Sequence, residues 1–167
     1  MANLQEEQKP LQNRRKPLTS SAQIPTPQGQ EIYQILSTLE VKITGTYRGD
    51  RRVTGWYEKV PKVARITTLQ PMLTLTCQAL GEYCMFFSTP ATDLNAKFYH
   101  TNMLKARYFE IQAKLNLLER SGAIPKSEAQ NTAETLMTPL IKIINHQLRE
   151  LNRKIAEQQA RQQYQIR

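Results

Sequence analysis

The sequence predicts an all-α protein: an antiparallel bundle of about four helices dominated by a long αα-hairpin, with an irregular basic loop and a flexible N-terminal tail. Three observations carry this expectation. Apolar residues recur at Leu104, Tyr108, Ile111, Leu115 and Leu118, and again at Ile144, Leu148, Leu151 and Ile155. Steps of four and three place each set on one stripe of a helix. The segment 120–130 between them is short and holds Gly122 and Pro125, which suits two helices folded back on each other. Finally, 40% of the 167 residues are hydrophobic but only four are Phe and one is Trp, so the core should be aliphatic. The length allows one domain, residues 30–167, behind a tail of residues 1–29.

The elements follow in order. Residues 1–29 are rich in Gln and Pro, with prolines at 10, 17, 25 and 27 and one basic cluster, Arg14-Arg15-Lys16. Such a segment is expected to be a solvated tail, or to become ordered along a partner. From Gln30 to about Lys42, Ile32, Ile35, Leu36 and Leu39 have helical spacing, with Ile43 next in the series. Gly45 and Gly49 then end the helix. The insertion 44–65 carries glycines at 45, 49 and 55 and a proline at 61, which exclude a long helix and suggest a loop or an irregular hairpin turning near Gly49-Asp50.

From Thr68 to Phe87 the chain is apolar almost all round and should be the most buried helix, with Pro71 in its first turn. Cys77 and Cys84 are seven residues apart, about two helical turns or roughly 10 Å. That is too far for a disulfide, so both are expected to be buried as small hydrophobes. Thr92 or Asp93 should cap the next helix. Gly122 should end it, and Ser127 with Gln130 forms a capping box for the following one. Pro139 should kink that helix or split it into 127–138 and 139–163. Residues 158–167 lose the apolar stripe and should fray. No internal repeat is evident.

The charge is the main functional clue. The net charge of +9 asks for an anionic partner, although dispersed cations also keep helical proteins soluble. More than half of that excess lies in residues 42–65, where Lys42, Arg48, Arg51, Arg52, Lys59, Lys62 and Arg65 face only Asp50 and Glu58. Tyr47, Trp56 and Tyr57 are interleaved with them. Cations neutralise phosphates and flat rings stack on unpaired bases, so this is the first candidate nucleic-acid site. The competing reading is a basic surface loop whose aromatics, Trp56 above all, close over the core. A second candidate is the ridge Lys142, His146, Arg149 and Arg153, on the helix face opposite Ile144, Leu148, Leu151 and Ile155. Arg107 and Lys114 could extend it. The competing reading is an ordinary solvated face screened by Glu150 and Glu157.

Enzymatic constellations are nearly absent. His100 and His146 have no Cys or acid at metal-ligand spacing, and no phosphate-cradling glycine loop or nucleophile motif appears. No cofactor, metal or catalytic residue is expected. The opening residues lack a basic-then-apolar signal pattern and the 69–87 run is too polar to span a membrane. A cytoplasmic protein without membrane insertion is expected.

The reading these features support first is a non-catalytic small subunit of a nucleoprotein complex, holding RNA or DNA by its backbone without sequence readout, beside other protein subunits. Small helical subunits of CRISPR effector complexes are a class of this general description; the likeness is one of size, charge and helix content, and no motif carries it. The alternatives are a helical protein–protein adaptor, self-associating through its long helices, and a dimeric DNA-binding protein. Against the last, there is no compact helix-turn-helix signature.

Overall fold

The computed structural model describes residues 26–48 and 50–165; the tail 1–25, with Arg14-Arg15-Lys16, lies outside them. A 3-10 turn, Pro27–Gly29, leads into α1, Glu31–Thr44. This helix buries Ile32, Ile35, Leu36, Leu39 and Ile43, the stripe its spacing predicts. It stops at Gly45, whose φ of 85° lies in the left-handed region that favours glycine. There is also no room for a side chain: a Cβ on Gly45 would stand 2.6 Å from the carbonyl oxygen of Val53.

The insertion is more regular than expected. Strand β1, Gly45–Arg48, pairs antiparallel with β2, Arg51–Thr54, placing Tyr47 opposite Arg52 and Arg48 opposite Arg51. The two-residue connection at 49–50 is the shortest that a hairpin commonly uses. A single turn, α2 (Trp56–Lys59), follows, and then a long helical run: α3 (Lys62–Ala64), a π turn (Arg65–Leu69) and α4 (Gln70–Ser88).

That run refines one expectation and overturns another. Pro71 falls in the first turn of α4, as expected, but helical backbone already runs ahead of it through Ala64, Arg65 and Leu69. A proline inside a helix lacks a donor and its ring strikes the carbonyl four residues back. The π turn widens the coil just before it: the Gln70 N–H reaches the Arg65 carbonyl, five residues back. Helix α4, however, is not buried all round. It buries Met72, Thr76, Ala79 and Tyr83, whereas Cys77 and Met85 are exposed and Cys84 is partly so. Both cysteines are free thiols, and one stands on the outer face instead of in the core, since α4 has neighbours on one side only.

Helix α5, Leu94–Arg120, is capped by Asp93, whose carboxylate accepts from Ala96 N–H at 3.0 Å. Gly122, at φ 68°, turns the chain after it. Helix α6, Lys126–Thr132, begins after Pro125 and not with a Ser127 capping box; no side chain caps it. Pro125 has already fixed an extended backbone there, so Ser127 falls inside the first turn. A second π turn, Ala133–Met137, precedes α7, Thr138–Gln165. Its Thr138 N–H reaches the Ala133 carbonyl just ahead of Pro139, so the chain bulges at this proline as at Pro71. The expected fraying is also corrected: α7 stays helical to Gln165, because Gln, Arg and Ala are good helix formers and Arg153 bridges Glu157 one turn on.

The four long helices pack in the order α1, α4, α5, α7, and α1 closes the bundle against the second π turn and α7. Leu104, Tyr108, Ile111, Leu115 and Leu118 of α5 meet Leu140, Ile144 and Leu148 of α7 in one core. The fold is all-α with one small hairpin set on the end of α1. No described helix is long and apolar enough to cross a membrane.

Candidate nucleic-acid interface

The hairpin sorts its cations onto two faces. Residues directly opposite in a ladder share a face, and faces alternate along each strand. Tyr47 and Arg52 therefore share one, and the guanidinium carbon of Arg52 lies 6.0 Å from the Tyr47 ring centre. Arg52 is also ion-paired to Glu58 of α2, so its charge is largely answered. Arg48 and Arg51 share the other face, both exposed, and neither makes an ion pair among the described residues. Like charges opposite each other weaken a ladder. Lys59 and Lys62, just beyond, are exposed as well. Tyr47, at 69% exposure, is the aromatic ring of the insertion that a base can reach.

The other two aromatics are corrected. Trp56 is only 1% exposed and belongs to the core. Its Nε1–H donates to Glu128 Oε1 of α6 at 2.5 Å, and the Lys42 ammonium lies 5.7 Å from its ring centre. The ring has the largest apolar surface in the insertion, and a carboxylate across the bundle satisfies its one donor. Burial removes it from any stacking platform. Tyr57 is half-buried beneath Arg65, whose guanidinium carbon sits 5.0 Å from the ring centre. Arg65 also donates to the Val60 carbonyl at 3.2 Å. These two residues hold each other and are not free to grip a ligand.

On α7, Lys142, His146, Arg149 and Arg153 are all exposed, as one face should be. Arg153 is nonetheless spent, donating to Glu157 at 2.6 Å and to Glu150 at 3.0 Å. The Arg153 hydrogen bond holds the Glu150 carboxyl below the usual carboxylate range, and the same contact raises the Arg153 guanidinium. Arg107, expected to extend the ridge, pairs with Glu110 at 2.8 Å.

Lys142 and Arg149 instead face an open groove of about 610 Å³ between α5 and α7. Lys105 joins them from α5. Phe98 and Leu148 form apolar parts of the wall, and Asn102, Asn145 and Asn152 supply carboxamides. No carboxylate lines it. Phe98, Asn102 and Lys105 recur at four and three, as do Asn145 and Asn152 at seven. The spacing was visible, but nothing local says that these two stripes meet.

The hairpin and the groove are separate. Residues 61–68, which follow the hairpin, pack beside Leu117–Ala123 at one end of α5, and the groove lies near the other, at Phe98–Lys105. Twelve residues from Lys105 to Leu117 amount to roughly 18 Å of helix. The stripe of α5 from Leu104 to Leu118 and that of α7 from Leu140 to Leu148 lie in the bundle core, whereas Ile155 is only half-buried. Among the described residues, no three His, Cys, Asp or Glu side chains gather as a metal ion would require. No family model, curated protein or solved structure matches the chain.

Proposed function

We propose that this chain is a non-catalytic subunit of a cytoplasmic nucleoprotein assembly that holds a nucleic-acid strand by its phosphates. The observation that carries the reading is the pairing of Arg48 with Arg51 at the hairpin tip, both exposed and neither bridged to a carboxylate. The arrangement is unfavourable in the free protein and becomes favourable when an anion sits between them. Phosphate backbones present such anions at regular intervals. Lys59 and Lys62 continue the positive surface from the hairpin, and Lys105, Lys142 and Arg149 form a second one.

The test is anisotropy of labelled single-stranded RNA, single-stranded DNA and duplex DNA across a salt series. Log affinity should fall linearly with log salt, and Arg48→Ala with Arg51→Ala should lower the slope by about 1.4 on single strands. The loss should be similar for every sequence, since phosphate contacts carry no sequence information. An unchanged slope would remove the hairpin from the interface.

A further inference from the structure

We infer that the α5–α7 groove takes one nucleotide unit of a single strand, with its phosphate on the cations and the edge of its base on the asparagines. The inference rests on the backbone-binding reading above and adds base contact to it.

The groove differs from a general basic surface in three respects. Its three cations, Lys105, Lys142 and Arg149, converge from two helices on a lining that holds no carboxylate. Its carboxamides are available. Asn145 and Asn152 make no side-chain hydrogen bond among the described residues, and Asn102 uses only its Nδ2, donating to the Phe98 carbonyl at 3.1 Å. Its wall includes a half-buried aromatic, Phe98, beside the buried Leu148, which gives a flat apolar contact for a ring.

The asparagines decide between ligand classes. A carboxamide both donates and accepts. Base edges also mix donors and acceptors, so they complement it. The carboxylates of an acidic peptide only accept, and would use the Asn donors while leaving the Asn oxygens without a partner on the ligand. The volume, about 610 Å³, falls within the range of roughly 300–1,000 Å³ typical of small-molecule sites, whereas a partner helix is about 10–12 Å across. Along α7 the cations and amides alternate, Lys142, Asn145, Arg149, Asn152. That order sets a cation beside a carboxamide, as a phosphate beside its own base requires. A base stacked inside a duplex cannot lay its face on Phe98, so the ligand is a single strand.

The test compares labelled ten-nucleotide homopolymers of rA, rC and rU on the full chain and on Asn145→Leu with Asn152→Leu, in one salt series. Far-ultraviolet circular dichroism checks that the variant keeps its helix content, and Lys142→Gln with Arg149→Gln serves as the second variant. The wild type should separate the homopolymers by about tenfold. The asparagine variant should bind all three alike with its salt slope unchanged, and the cation variant should lose slope. Wild-type binding with no base preference, or a preference that survives loss of both asparagines, overturns the base contact and leaves phosphate binding standing. A glutamate-rich peptide that displaces the strands from the wild type but not from the cation variant, with no base preference, assigns the groove to an acidic protein instead. Binding to no strand at any salt overturns the phosphate reading itself.

Discussion

The indole of Trp56 is held from two directions, its N–H by Glu128 and its face by Lys42, with the ring inside the core. Replacing it with Ala should cost about 3–5 kcal/mol in stability, measured by urea unfolding followed by circular dichroism. Trp56→Phe keeps most of the apolar area and should cost clearly less. Both substitutions should weaken single-strand and duplex binding to the same extent, because the ring touches no ligand. Greater loss on single strands would return Trp56 to the interface. The same residue shows why side-chain chemistry alone is an ambiguous guide. Trp56, Tyr57 and Tyr47 stand in one basic stretch of sequence, yet the first is buried, the second lies under Arg65 and only the third projects. The difference comes from partners far along the chain, Glu128 for Trp56, and these have no local signature.

At the level of elements, the two π turns share one design. Each comes immediately before a proline-containing turn, and each carries the residue ahead of the proline across five positions instead of four. A π turn is in effect one extra residue in an α-helix. Removing it rotates everything upstream by about 100° relative to everything downstream. Deleting the exposed Glu134 should therefore turn Ala129 and Thr132 away from the core and pull Glu128 off Trp56, lowering the urea midpoint. An unchanged midpoint would mean that α6 is free to rotate. Helix positions were legible in the sequence because burial follows a period of 3.6: Ile32, Leu36, Leu39 and Ile43 on α1, and Leu104, Tyr108, Ile111, Leu115 and Leu118 on α5, all lie inside. Pro139 announced a break in the last helix, but the form of that break, a π turn on the N-terminal side of the proline at both Pro71 and Pro139, was not legible.

Across the whole molecule, the hairpin cations and the groove cations lie apart: residues 61–68, which follow the hairpin, meet α5 at Leu117, roughly 18 Å along the helix from Lys105 in the groove. A stacked strand advances about 3.4 Å per nucleotide, so about six nucleotides are needed to touch both. Affinity should rise steeply between four-nucleotide and ten-nucleotide oligomers, as the second contact becomes intramolecular. That step should vanish in Arg48→Ala with Arg51→Ala. A smooth rise with length in both proteins would mean that the sites act independently. Half of the candidate site could be read from sequence, because Arg48, Arg51, Lys142 and Arg149 advertise themselves by charge. Phe98, Asn102, Lys105, Asn145 and Asn152 could not, because each is unremarkable on its own helix and gains meaning only from the helix opposite.

The burial of Trp56 has one further consequence. It is the single tryptophan of the chain, so ultraviolet emission excited at the red edge comes from one ring in one place. That ring is clamped between the insertion and a carboxylate 72 residues further on. Its colour therefore reports closure of the whole bundle: blue when Glu128 and the core surround it, red when water reaches it. Since Arg48 and Arg51 lie outside that enclosure, a strand docking on the hairpin should leave the colour unchanged. A shift on binding would register movement passed from the hairpin into the bundle, read without any attached label.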